Sequence, residues 1–183
     1  MGLRSPEGML VARVCPFDPA YSAFVELCRR CAGNRWLPNV ELAADLEGGG
    51  SVTFLEFVAP VETAVATQVA GRWQAGTGDA EFEQVRRTAQ KIDAEFRETT
   101  PWWDGLDLND AHIRRALDGR LVLIDVFCMD GASLYGQILT DVAEVHRRIP
   151  REQMRYALEI PYIAREHSVA EISALKRAWD RAF

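Results

Sequence analysis

The pair Asp118-Gly119, set between two apolar runs, constrains this chain more than any other feature. The runs are Ile113 to Leu117 and Leu121 to Ile124, and an Asp-Gly pair accepts the positive φ values that a tight two-residue turn needs. The pattern predicts a β-hairpin. A second reading has Asn109 capping a short helix through Leu117. A hairpin returns its two ends to one place, so the residues before Ile113 and after Ile124 meet. Those residues are acidic: Asp107 and Asp110 on one side, Asp125 on the other. Two carboxylates facing one cleft can divide labour, one taking a proton from a nucleophile and the other holding a metal on a nucleotide.

The other elements are set by spacing. Met9 to Val14 reads as a short strand. Asp18-Pro19 is an N-cap followed by proline at the first helical position, and Tyr21, Phe24, Val25, Cys28 and Cys31 continue at helical spacing, predicting a helix over about 19–32. Val40 to Leu46 and Ser51 to Val58 read as strands joined by a glycine turn. Pro60 is expected to open a helix carrying Val61, Val65, Val69 and Trp73, broken at Gly76. The cleanest period runs over about 79–98, where Phe82, Val85, Ala89, Ile92 and Phe96 form one stripe. Trp102 to Ala111 reads as a loop. Beyond the hairpin, Leu134, Ile138, Val142, Val145 and Ile149 repeat at helical intervals. Pro150 and Pro161 punctuate the C-terminal stretch, and Ser168 to Glu171 matches a capping box before a last helix. Strands first and helices after, with one hairpin among them, predict a single α+β domain over 1–183.

Charge and composition narrow the partners. Net charge is −6, which repels phosphate backbones and argues against general nucleic-acid binding. No apolar run is long enough to span a bilayer. Met1 to Gly8 lacks a charged region followed by an apolar one, so no signal peptide and a cytoplasmic location are expected. Reduced cysteines go with that compartment. Cys28 and Cys31 form a lone C-x-x-C inside a helical pattern, which reads as buried thiols; a metal or redox role is the lesser reading.

In order and spacing the chain resembles the protein-kinase-like superfamily, most closely its aminoglycoside-phosphotransferase-like and phage-type kinase branches. Those families carry Asp-x-x-x-x-Asn in a catalytic loop, then a short hairpin, then a metal-binding Asp. The resemblance implies a reduced kinase-like fold, with residues 1–58 as a small N-terminal lobe and 59–183 as a helical lobe carrying the hairpin. It implies ATP with Mg²⁺ or Mn²⁺ as cofactors. Asp107 falls on the catalytic-base position and Asp125 on the metal position, with His112 as a helper to the metal. Val11-Ala12-Arg13-Val14 resembles the strand of the phosphate-binding Lys, so Arg13 takes that place and Glu26 that of its ion-pair partner. Phe54 to Val58 resembles the strand and hinge that grip adenine, which puts Glu56, Phe57 and Val58 at the nucleotide.

Four departures stand against a fully equipped enzyme. His112 replaces the Asn, and imidazole suits softer metals than Mg²⁺. Arg13 replaces the Lys. Only about eight residues precede the first strand, short of the two strands and Gly-rich loop that cover ATP phosphates. The glycine expected two residues after Asp125 is Phe127. An alternative is therefore a pseudokinase that binds a protein partner or assembles as a homo-oligomer. Plain readings accompany each residue. Asp107 and Asp110 cap a loop, Asp125 ends a strand, and His112 is a half-buried histidine. Glu26 is a surface charge, and Trp102 and Trp103 are packing residues.

Overall fold

The N-terminal third folds as an antiparallel sheet with one helix against it. The computed structural model describes residues 2–5, 8–159 and 168–180; Pro161 lies outside them. Four strands, β1 (Gly2–Arg4), β2 (Leu10–Cys15), β3 (Val40–Asp45) and β4 (Ser51–Glu56), pair in the order β1-β2-β4-β3. β1 is an addition to the sequence reading. Between β2 and β3 runs α1 (Pro19–Arg30), started by Asp18, whose carboxylate accepts from the Tyr21 N–H. Its buried face carries Tyr21, Phe24, Leu27 and Cys28, the period the sequence displays.

Pro60 does not open a helix. It ends a short strand, β5 (Val58–Pro60), and the helix α2 (Thr63–Ala75) starts after it. The position suits proline: β5 is the edge of a three-stranded sheet, where a residue without an N–H is tolerated. α2 stops at Gly76, which takes the left-handed conformation with φ 64°. α3 (Ala80–Thr99) comes next, capped by Asp79, which accepts from the N–H groups of Glu81 and Phe82. Phe82, Val85, Ala89 and Ile92 are fully buried along one stripe, and Phe96 is half-buried.

The segment read as a loop contains a strand. β6 (Trp103–Leu106) pairs with β9 (Phe127–Met129), while β7 (Ile113–Ala116) and β8 (Leu121–Leu123) form the expected hairpin. Trp103 packs between Phe96 and Phe127, at ring distances of 5.0 and 5.6 Å. α4 (Gly131–Arg148) is broken at Asp141, which leaves helical geometry and caps the restart by accepting from the Glu144 N–H. α5 (Val169–Asp180) begins with the predicted capping box, Ser168 and Glu171 bonding reciprocally.

Two hydrophobic clusters result among the described residues. The larger spans α1, α2, α3, β9 and the hairpin; the smaller joins α4 to α5. The architecture is α+β, small antiparallel sheets with helices packed on them. Among the described residues, no helix is long and apolar enough to cross a membrane.

Candidate functional site

The hairpin and the β6–β9 pair together build the acidic corner. β6 and β9 run antiparallel, and the ladder continues one step beyond them through Asp107 N–H to the Val126 carbonyl at 2.9 Å. On the hairpin side, the Ile124 N–H donates to the His112 carbonyl at 2.9 Å. Asp107 thus lies across the ladder from Val126, one residue from Asp125. A three-residue link joins β8 to β9, and within it Asp125 takes φ 48°, a left-handed conformation that a non-glycine residue adopts rarely and Asp more readily than most.

The two carboxylates are held by different partners. Both oxygens of Asp125 accept from one Arg13 nitrogen, at 2.6 and 2.7 Å. Asp107 accepts from the Asn109 amide, at 3.3 Å to each oxygen. His112 donates from Nδ1 to the Asp107 carbonyl at 2.6 Å. A carbonyl can only accept, so in the neutral ring Nε2 is the lone-pair nitrogen. Asp110 accepts from the Thr67 hydroxyl at 2.6 Å, which ties the loop to α2.

Arg13 is the hub on the sheet side. It stands on β2, and its guanidinium lies 3.9 Å from the centre of the Tyr21 ring, a cation–π contact. Its Nε donates to the Cys15 sulfur at 3.2 Å, the residue two positions on and so on the same face of the strand. Burial works against the guanidinium's charge, but Asp125 foremost and Cys15 next outweigh it and hold its pKa above the ordinary range. Burial pushes the Tyr21 phenol up to about 12 and raises Asp18, although the Tyr21 N–H and Arg13 oppose the latter shift. Arg13 thus has two acidic residues near it, Asp125 in contact and Asp18 at the start of α1.

The expected partner of Arg13 is corrected by the structure. Glu26 bonds to Arg29 and Arg30 on its own helix, at 3.1 and 2.9 Å, and Arg30 reaches on to Glu95 of α3. Near cations at helical spacing satisfy Glu26 locally, and Arg13 is satisfied by Asp125 instead.

The segment Glu56, Phe57 and Val58 is heavily engaged. Glu56 holds Arg120 through both oxygens at 2.9 Å, and Arg120 also bonds the turn residue Asp118. The Glu56 and Phe57 N–H groups donate to the Asn39 and Met9 carbonyls, and Val58 pairs with Ala116 of β7. A base edge seeking these main-chain groups would compete with partners already in place.

A second layer stiffens β6. Trp103 Nε1 donates to Asp93 at 2.7 Å, and Arg97 bonds both Asp93 and the Asp104 carbonyl. Gly105 has φ 115°, a backbone conformation that side chains rarely adopt, and a Cβ there would also push the Arg97 guanidinium and the Asp93 carboxylate aside. Sequence reasoning missed Tyr21, Cys15 and Asp18 around Arg13. The i, i+2 spacing of Arg13 and Cys15 was a usable signal; the approach of Tyr21 was not. Comparison with protein-family models, curated proteins and solved structures found no match to this chain.

Proposed function

We propose that this chain is a reduced, kinase-like phosphotransferase domain that binds ATP with Mg²⁺ or Mn²⁺. The observation that carries the reading is the acidic corner. Asp107 pairs through its main chain with Val126, the neighbour of Asp125, and a cation from the sheet reaches Asp125 from above. Asp125 offers two carboxylate oxygens, the hard donors these metals take, and a metal that arrives with nucleotide phosphates needs only one or two protein carboxylates. Asp125, with His112 beside it across the Ile124 hydrogen bond, is the proposed donor pair; among the described residues no group of three or more His, Cys, Asp or Glu could hold a metal without the nucleotide's oxygens. When bound, the metal supplies neutralisation of the phosphate charge.

The chain's own residues then have distinct tasks. Arg13 exchanges Asp125 for a phosphate oxygen, keeping its stack on Tyr21. Asp107, fixed at its N–H by Val126 and at its carboxylate by Asn109, orients an acceptor hydroxyl and takes its proton. His112 holds the loop by its Nδ1 contact to the Asp107 carbonyl and presents Nε2 outward of that bond. Rate enhancement would rest on positioning and charge stabilisation.

A second reading, a catalytically inactive module that binds another protein, is favoured by the direct Arg13–Asp125 contact and by the engaged N–H groups at Glu56 and Phe57. Thermal denaturation separates the two. Millimolar ATP with Mg²⁺ or Mn²⁺ is expected to raise Tm, and Asp125→Asn to abolish the metal dependence of that rise. An unchanged Tm at millimolar nucleotide with either metal removes the phosphotransferase reading and leaves the binding module.

A further inference from the structure

β3 is exposed along almost its whole length. Glu41, Leu42, Ala43, Ala44 and Asp45 are all exposed, Leu42 by 53%. The strand is terminal in its sheet, with β4 as its partner among the described residues. In an antiparallel edge strand, alternate residues aim N–H and C=O away from the sheet, a row of donors and acceptors ready for another strand. Such edges are blunted by charges, proline or bulges; β3 carries Glu41, Asp45 and a register shift between Val40 and Leu42, but no lysine or proline, so its chemistry rejects acidic strands more than basic ones.

A furrow runs beside that edge. Two adjoining cavities, about 390 and 320 Å³, lie between β3 and α1 and share Val25, Arg29 and Ala43. One end is walled by Val25, Cys28 and Leu37, the other by Ser22, Thr53 and Asp45. Its charge is unbalanced. Glu26, Glu41 and Asp45 line it against Arg29, and Arg29 is already bonded to Glu26 at 3.1 Å.

We infer that this furrow docks an extended, basic segment of a partner protein, which pairs with β3 as an added strand. Main-chain pairing supplies affinity, and the furrow accepts alternate side chains. The open edge selects an extended segment over a helix. The apolar wall at Val25 and Leu37 selects aliphatic side chains, and the acid excess selects lysine or arginine near them. The same charges disfavour a second copy of this chain, because pairing β3 with itself brings two Glu41 and two Asp45 side chains into one interface. Of the residues given a part in the proposed activity, Glu26 and Tyr21 line the furrow; the structure has already separated Glu26 from Arg13, and Tyr21 serves Arg13 through its ring face. The inference therefore stands apart from the proposed activity.

A phage-displayed random heptapeptide library panned on the full chain tests it, with Ala43→Trp as counter-selection. Ala43 lines both halves of the furrow and is exposed, so the indole fills the furrow. Enriched peptides are expected to alternate valine, isoleucine or leucine with lysine or arginine. The best of them should bind about tenfold more weakly to Ala43→Trp and to the Glu41→Lys/Asp45→Lys pair. In the unsubstituted chain it should slow amide exchange within residues 40–45. An acidic or helical consensus, equal enrichment on Ala43→Trp, or protection outside 40–45 overturns the inference. So does slowed exchange there without peptide as the chain is concentrated, which would assign the edge to a second copy.

Discussion

The two hydrophobic clusters of this molecule differ in how they are closed. The larger one is built from sheet, three helices and hairpin, and it buries Phe24, Phe82, Ile92, Ile113 and Leu123 almost completely. Its aromatic residues interlock, with Phe82 packed edge-on to Trp36 and Trp73 at 4.7 and 5.8 Å. The smaller one rests on Leu134, Ile138, Val145, Ile149, Leu175 and Trp179, contributed mainly by two helices. Trp102 borders both clusters, with Arg148 of α4 over its ring at 5.4 Å. The acidic corner and Arg13 belong entirely to the larger cluster's elements. The lesson is that the candidate site is framed by elements with many non-local contacts, and the α4–α5 pair is an attachment to that frame.

The sharpest way to break this comparison is Phe82→Ala. It removes a fully buried ring gripped by two tryptophans and is expected to cost about 4 kcal/mol, read from denaturant unfolding. Leu175→Ala is expected to cost about 3 kcal/mol, but locally. Amide exchange should accelerate in α4 and α5 and remain slow in α3. Equal acceleration in α3 would show that the two clusters unfold as one.

Arg13→Ala comes next. It leaves Asp125 in a left-handed conformation without its ion-pair partner and is expected to cost about 1–2 kcal/mol. Glu26→Ala, which touches only exposed helix arginines, should cost well under 1 kcal/mol. The Arg13→Ala/Glu26→Ala double variant should be additive within about 0.5 kcal/mol; a larger coupling would restore Glu26 as the partner of Arg13.

Asp79→Ala removes the cap of α3 and should cost about 1 kcal/mol. Burial alone would raise Asp79, but the Phe82 N–H, Arg35 and Trp36 outweigh it and hold the carboxyl at about 2. A folded pKa below the unfolded one gives stability that is present above the ordinary value of 3.8 and lost as pH falls toward 2. Asp79→Asn should therefore flatten part of the stability loss between about pH 4 and 2, measured by denaturant titration at each pH.

Local signals were readable wherever neighbours in the chain decide the structure. The Asp118-Gly119 turn, the α3 stripe, the Asp18 cap and the Ser168–Glu171 box all act within a few residues, and each stands where the spacing put it. The strand β6 was not readable, since its conformation comes from pairing with β9 across the hairpin. Pro60 misled because its restricted backbone suits both a helix start and a sheet edge, and only β7 chooses between them.

The same division holds at the site. Asp107 and Asp125 were singled out because a hairpin's geometry is dictated by its own turn. The choice of Asp125 over Glu26 by Arg13 joins residues 112 positions apart, and no period or motif encodes that distance. The sequence by itself determined the long helices, the central hairpin and where the acids stand along the chain, while β6 and the edge strand at Pro60 needed their partners. Only the tertiary structure decided which charge each acid meets and which strand edge stays open, because those outcomes depend on competition among partners that chain order does not bring together.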